Sequence, residues 1–137
     1  ATMMSLLGEI QQTAEGQDGG DALKAEREQL GKEIGQLQGI FGVMLPRAQE
    51  SLYHVGLHAN RILSSLAEVV IGWLLIKQGV VALKKLPEAN AADKDFYEGK
   101  VAAVRFYCKE VLPNVALHKK VIEGGDLSLM DVAETAF

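Results

Sequence analysis

The sequence has a single cysteine, few histidines and no long hydrophobic segment. Because Cys108 is the only thiol, the chain has neither an internal disulfide nor a multi-cysteine zinc site. The uninterrupted apolar run at residues 69–76 is closed by Glu68 and Lys77, whereas a membrane span needs roughly 20 apolar residues. The sequence therefore predicts neither a disulfide scaffold nor a membrane protein.

The N-terminus also lacks the features of a secretory signal. Its apolar residues have no basic lead, and they end quickly at Glu9. We therefore expect a cytoplasmic protein. The chain begins at Ala1 rather than at methionine, as a processed product or a fragment excised from a larger protein would.

Length and charge favour one globular domain that does not bind nucleic acid. A chain of 137 residues, 48% of them hydrophobic, is long enough to bury a core. Its net charge of -4 argues against a phosphate partner, which is bound chiefly by lysine and arginine. A nucleic-acid-binding module remains an alternative through six basic residues, although glutamates lie between them: Lys77, Lys84, Lys85, Arg105, Lys119 and Lys120.

No stretch alternates as a strand does, while helical spacing is strong. A short first helix is predicted at residues 3–12, before the loop "EGQDGGD". The second carries apolar residues three, four or seven positions apart: Leu30, Ile34, Leu37, Phe41 and Met44. Pro46 is predicted to kink or end this helix. The turn into the third helix is predicted between Pro46 and Asn60.

The third helix carries a regular apolar stripe, consisting of Leu52, Val55, Ala59, Ile62, Leu66, Val69, Trp73, Ile76, Val80 and Leu83. The fourth has a similar stripe, made of Tyr97, Val101, Val104, Cys108, Val111, Val115, His118 and Ile122, with a kink predicted at Pro113. A short tail, "LSLMDVAETAF", follows. Short loops between long helices predict an up-and-down antiparallel four-helix bundle, with one short and three long helices and a C-terminal tail.

The third helix also has a second apolar stripe, made of Leu63, Ala67, Val70, Leu74 and Val81. Two stripes predict a central helix that packs against two neighbours. Ile71 and Leu75 point away from Trp73, on a face shared with polar residues. They are therefore a candidate interaction surface, and we expect a homo-oligomer in which this surface meets itself.

Few residues suggest chemistry. The Glu-x-x-His motif of di-iron bundles does not occur. Glu50, His54 and His58 are spaced by four, so an independent metal-binding protein or enzyme is a second alternative, but the predicted turn falls among them. His118 is either a proton carrier or a buried imidazole, and Cys108 resembles a small hydrophobic residue. Without a phosphate-binding loop, no catalytic, cofactor-binding or metal-binding residue is predicted.

The segments "ILSSLAEVVIGWLL", "DKDFYEGKVAAVRFYCKEVLP" and "GGDLSLMDVAETAF" resemble the C-terminal extension of a subgroup of bacterial acyl-CoA dehydrogenases. The similarity rests on packing motifs: Gly72-Trp73, Phe96-Tyr97-x-Gly99-Lys100, Leu129-Met130 and Ala136-Phe137. It is closest over residues 58–137 and looser from Gly20. Gly72, Trp73, Phe96 and Tyr97 are accordingly expected to mark the core.

This resemblance implies a non-catalytic four-helix accessory domain of a flavoenzyme involved in fatty-acid or acyl-CoA oxidation. The FAD, the acyl-CoA and the catalytic carboxylate would belong to upstream domains, which would be the partners of this chain. Residues 1–137 would then be a single bundle cut from the C-terminus of that enzyme, with no cofactor of its own.

Overall fold

The computed structural model describes residues 2–137. Five α-helices occur in order: α1 Thr2–Glu15, α2 Lys24–Glu50, α3 Leu52–Lys85, α4 Ala91–Glu110 and α5 Asn114–Glu123. Short 3-10 turns occupy Gly20–Leu23, Leu86–Glu88, Ser128–Asp131 and Glu134–Ala136. No strand occurs within residues 2–137. The predicted all-α bundle is confirmed, with α1 as its short helix, α2 and α3 as two long helices and α4 with α5 as the third.

Ser51 alone separates α2 from α3, inside the predicted range of the turn. Its backbone is extended, at φ -158° and ψ 133°, and its hydroxyl oxygen accepts a hydrogen bond from the Tyr53 N–H at 3.3 Å. Serine is a favoured N-cap because its side chain satisfies a free helical donor. Pro46 does not end α2, which continues to Glu50.

The fourth predicted helix is broken at Pro113 into α4 and α5. Proline has no N–H to donate within a helix, and residues 111–113 form a turn there. Leu112, inside this turn, is fully buried and packs against Gly72 of α3. A Cβ on Gly72 would lie 3.0 Å from both methyl carbons of Leu112, so a larger residue would require Leu112 to shift by a few tenths of an ångström.

Paired contacts show that α3 runs antiparallel to α4 and α5. Gly79 lies against Val104, and Gly72 lies against Leu112. Further along, Ser65 contacts His118. Residue numbers thus fall along α3 as they rise along its partners.

The apolar stripes of α2 and α4–α5 form most of the core. Buried residues from the predicted stripes are Leu30, Ile34, Leu37, Met44, Val101, Val104, Cys108, Val115 and Ile122. On α3, Val69, Trp73, Ile76 and Val80 are buried. The first predicted stripe of α3, the one that contains Trp73, is wrong near the start of the helix, where Leu52 is 78% exposed. His54 and His58 are buried there, because they face the end of α5.

Candidate interaction surface

We define the α3 stripe as Leu63, Ala67, Val70, Leu74 and Val81. The prediction that α3 is a central helix with two neighbours is confirmed, because α3 packs against both α2 and α4. Val70 packs against the core, but the prediction that the whole stripe packs against a second helix is wrong. The exposed fractions of Leu63, Leu74 and Val81 are 66%, 45% and 56%. Helix α1 packs mainly against α2, and the start of α4 reaches only Leu74 and Val81, so Leu63 and Ala67 are left exposed. An uncovered run of large apolar side chains on one helix face is typical of an interaction site.

Ile71 and Leu75, the candidate residues from the sequence, lie in different environments. Ile71 is 45% exposed and borders the α3 stripe. Leu75 is half-buried and packs against the core. The available surface is therefore centred on the α3 stripe and Ile71, and Leu75 belongs to its inner edge.

A groove lies between the C-terminal part of α3 and the start of α4, and its lining includes Leu74 and Val81 of the α3 stripe. We call it the α3–α4 groove; its volume is about 420 Å³, and its lining residues are Leu74, Lys77, Gln78, Val81, Ala82, Phe96, Tyr97 and Lys100. Phe96 was expected in the core, but it is 59% exposed. Its ring meets that of Tyr97 edge to face, with 5.5 Å between centroids. Phe96 is thus a wall of the groove, because Tyr97 alone turns toward the core.

The Gly72-Trp73 pair lies on the opposite, inward side of α3. Trp73 is buried, and its indole N–H donates to the Thr13 hydroxyl at 2.9 Å. The Lys77 ammonium lies 4.6 Å from the centre of the ring. This hydrogen bond attaches α1 to the bundle, since Thr13 belongs to α1.

The histidine strip does not form the metal site that its spacing allows. Glu50 is exposed at the end of α2, whereas His54 and His58 are buried on α3. A polar strip beside a turn is commonly solvated, but these two histidines are not. Among residues 2–137, no three histidine, cysteine, aspartate or glutamate side chains are grouped to hold a metal ion.

The two histidines instead lie at the joint between the α2–α3 turn and the end of α5. Arg47 donates from Nη1 to the Ile122 carbonyl and from Nη2 to the Glu123 carbonyl, the latter at 2.8 Å. Gly125 lies over His58, where a Cβ would approach Nε2 to 2.5 Å. Burial, followed by the charge of Arg47, lowers the pKa of His58. Sequence reasoning missed Arg47, because its partners are carbonyls remote in the chain.

His118 of α5 contacts a buried serine of α3. Its Nδ1 lies 3.0 Å from the Ser65 oxygen, and Ser65 is fully buried. The Ser65 hydroxyl also donates to the Arg61 carbonyl at 2.7 Å. Ser65 thus links α5 to the backbone of α3.

Glu33 and Cys108 are buried, and Glu68 is half-buried. Burial raises the pKa of both Glu33 and Glu68. The Tyr107 hydroxyl donates to the Glu68 backbone carbonyl at 3.1 Å. Burial raises the pKa of Cys108 to about 12, so this thiol stays protonated at neutral pH, although it lines a pocket of about 260 Å³.

Two of the six basic residues considered for nucleic acid lie beside acidic groups. The Lys119 ammonium lies 3.2 Å from the Glu123 carboxylate. Arg105 faces Glu26, with 4.0 Å between Nε and Oε1, and also donates to the Ala22 carbonyl. Arg105 and Lys119 thus take part in two separate ion pairs rather than in one basic patch.

Within residues 2–137, one helical stretch, Leu52–Glu88, is long and apolar enough to cross a bilayer by length and composition. Of its most apolar part, 39% is buried in the bundle. The core helix of a soluble protein passes the same test, so this property is weak evidence for a span.

Residues 6–133 match the family described as "Acetyl-CoA dehydrogenase C-terminal like". The chain is 38% identical over 137 residues to the broad-specificity linear acyl-CoA dehydrogenase FadE5 of Mycobacterium tuberculosis, covering 95% of this chain and 22% of that protein. A butyryl-CoA dehydrogenase of Syntrophomonas wolfei is 37% identical over 82 residues, covering 58% of this chain and 13% of its own length. The chain thus spans about a fifth of the FadE5 protein and less of the butyryl-CoA dehydrogenase. It belongs to the acetyl-CoA dehydrogenase C-terminal-like family, a helical C-terminal domain of acyl-CoA dehydrogenases.

Proposed function

We propose that this chain is a non-catalytic accessory domain that docks, through the α3 stripe and Ile71, on the catalytic part of an FAD-dependent acyl-CoA dehydrogenase. The supporting observation is the uncovered apolar side of α3. Leu63, Ile71 and Leu74 would remain in water if the bundle stood alone, and burying each large apolar side chain contributes about 1.5–3 kcal/mol. The chain matches only 22% of the FadE5 protein, and the rest of such a protein is the partner proposed for this face.

In this proposal, flavin binding and acyl-CoA oxidation belong to the catalytic part. Glu33 and Cys108 are buried on different helices, α2 and α4, and among residues 2–137 no three histidine, cysteine, aspartate or glutamate side chains are grouped to hold a metal ion. The expected role of the chain is to hold the parent enzyme, or a neighbouring subunit, in a fixed arrangement. Fatty-acid or acyl-CoA oxidation would then be the process that it serves, in the cytoplasm.

The reading frame upstream of Ala1 is the first test. A dehydrogenase body that continues into Ala1 is expected, and a start codon beside Met3 would contradict the proposal. The chain alone should neither acquire flavin absorbance when mixed with FAD nor reduce a dye with acyl-CoA esters. A yellow, active preparation of the chain alone would also contradict it.

The docking face is tested by expressing the catalytic part and the tagged chain as separate pieces. Leu63→Lys with Ile71→Lys should reduce the flavin that co-purifies with the tag, because two charges would enter an apolar contact. A matched control is Phe106→Lys with Leu117→Lys, which changes two exposed apolar residues outside the stripe. Equal loss in both pairs would show that the α3 stripe is not the docking face.

A further inference from the structure

The α3–α4 groove is both apolar and basic. Leu74, Val81 and Phe96 are among its apolar walls, and Lys77 and Lys100 are its charged residues. The Lys100 ammonium is held 5.3 Å from the centre of the Phe96 ring. No acidic side chain lines the groove among residues 2–137. A suitable occupant is therefore an apolar segment that carries negative charge.

The end of the chain has this chemistry. Residues 131–137 include the exposed apolar side chains Val132 and Phe137, which are 42% and 92% exposed. The same segment carries Asp131 and Glu134, and no lysine or arginine follows Lys120. Apolar side chains that their own fold leaves in water are available to a complementary groove.

The segment does not reach the groove of its own copy. Its preceding residues, Leu129 and Met130, line a small pocket with Gly56 and Leu57, at the start of α3. That pocket and the α3–α4 groove are about 20 residues apart on α3, which corresponds to about 30 Å along the helix axis. The seven residues up to Phe137 span at most about 25 Å when fully extended. An interaction between the segment and the groove therefore requires two copies.

We propose that residues 131–137 of one copy bind the α3–α4 groove of a second copy, with Val132 and Phe137 on its apolar walls and the two carboxylates facing Lys77 and Lys100. A reciprocal exchange gives a two-fold dimer with two equivalent contacts. This contact differs from self-association through Ile71, which lies outside the groove lining. It shares Leu74 and Val81 with the proposed docking face, whereas Lys77 and Lys100 belong to the groove alone.

Charge exchange tests the pairing in the full chain by sedimentation equilibrium. Lys77→Glu with Lys100→Glu should weaken dimerisation at least about tenfold, because the acidic segment then meets like charge. Asp131→Lys with Glu134→Lys should do the same from the other side, at exposed positions that do not affect folding. Mixing the two variants should recover association, because the mixed dimer has one wild-type contact and one charge-exchanged contact, and both pair opposite charges. Lys109→Glu with Lys120→Glu, two exposed lysines outside the groove, is the matched control.

Cross-linking tests the position. A copy with Phe137→Cys and a differently tagged copy with Gln78→Cys should form a mixed disulfide, while the buried Cys108 stays inert. Asn114→Cys, exposed on α5, replaces Gln78→Cys in the control and should give little product. A wild-type chain that stays monomeric, or a dimer that survives both charge reversals, would overturn the proposal. The two contacts are tested separately. Leu63→Lys with Ile71→Lys should weaken binding to the catalytic part, whereas Lys77→Glu with Lys100→Glu should weaken the dimer.

Discussion

Along α3, residues 52–65 and residues 66–85 face different neighbours with different chemistry. In the first part, His54, His58 and Ser65 are buried while Leu57 and Leu63 are exposed. In the second part the inward residues are apolar, as a bundle core requires.

The difference arises from what the neighbours present. The end of α5 brings carbonyl groups that no helical N–H satisfies, so polar side chains are needed near it. The middle of α4 brings Val101 and Val104, which call for apolar contacts. Burial on α3 is thus decided by the partner surface as well as by the pattern on the helix.

A substitution in the apolar part of α3, residues 66–85, should have the largest effect on stability. Trp73→Ala removes a buried side chain and its hydrogen bond to Thr13, leaving a cavity between α1 and α3. The expected loss is about 3–5 kcal/mol in the free energy of unfolding. Urea unfolding measures it. Thr13→Val, which removes only the hydrogen bond, should cost much less, and equal costs would mean that Trp73 packing is unimportant.

A substitution in the polar contacts beside residues 52–65 of α3 should lower the free energy of unfolding by less. Arg47→Ala leaves the carbonyls of Ile122 and Glu123 without their charged donor. Hydrogen bonds to charged groups contribute about 1.5–3 kcal/mol, and we expect a loss in that range. Thermal and urea unfolding measure this change, with Arg47→Lys as a control that keeps the charge. An unaffected Arg47→Ala variant would contradict the role assigned to this joint.

His58, in residues 52–65 of α3, should also make the free energy of unfolding depend on pH. Because the folded-state pKa of His58 lies below 6.5, the unfolded chain takes up this proton first. The contribution to stability is present above pH 6.5 and is lost as pH falls through the folded pKa. His58→Leu should flatten this part of the stability curve, as measured by urea unfolding from neutral to mildly acidic pH. A curve identical to that of the wild type would contradict the assignment.

The smallest effect is expected on the exposed side of α3. Leu63→Lys should change the free energy of unfolding by no more than about 0.5 kcal/mol, because it lies away from the core. Leu75→Lys should cost more, since Leu75 packs against the core. Thermal melts distinguish the two positions. If Leu63→Lys unfolds the bundle, the α3 stripe is covered within the chain rather than by a partner.

Apolar periodicity predicted the helices themselves and the inward faces of α2 and α4–α5. Leu30, Ile34 and Leu37 repeat with the period of a helix and are all fully buried. Periodicity did not predict which side of α3 faces water, because its apolar side chains extend around most of the helix. Phe96 shows the same limit, since a motif identifies a packing residue without saying whether its contact lies inside the bundle or at a groove.

Sequence alone determined the all-α bundle, a turn somewhere between Pro46 and Asn60 and the resemblance to acyl-CoA dehydrogenase domains, because local spacing and short motifs contain that information. Tertiary structure decided that Arg47 meets Ile122, that His58 is covered by Gly125, and that Leu63 is exposed. Those contacts join residues remote in the chain. A one-dimensional pattern fixes which residues share a helix face, whereas the packed arrangement of helices fixes what that face contacts.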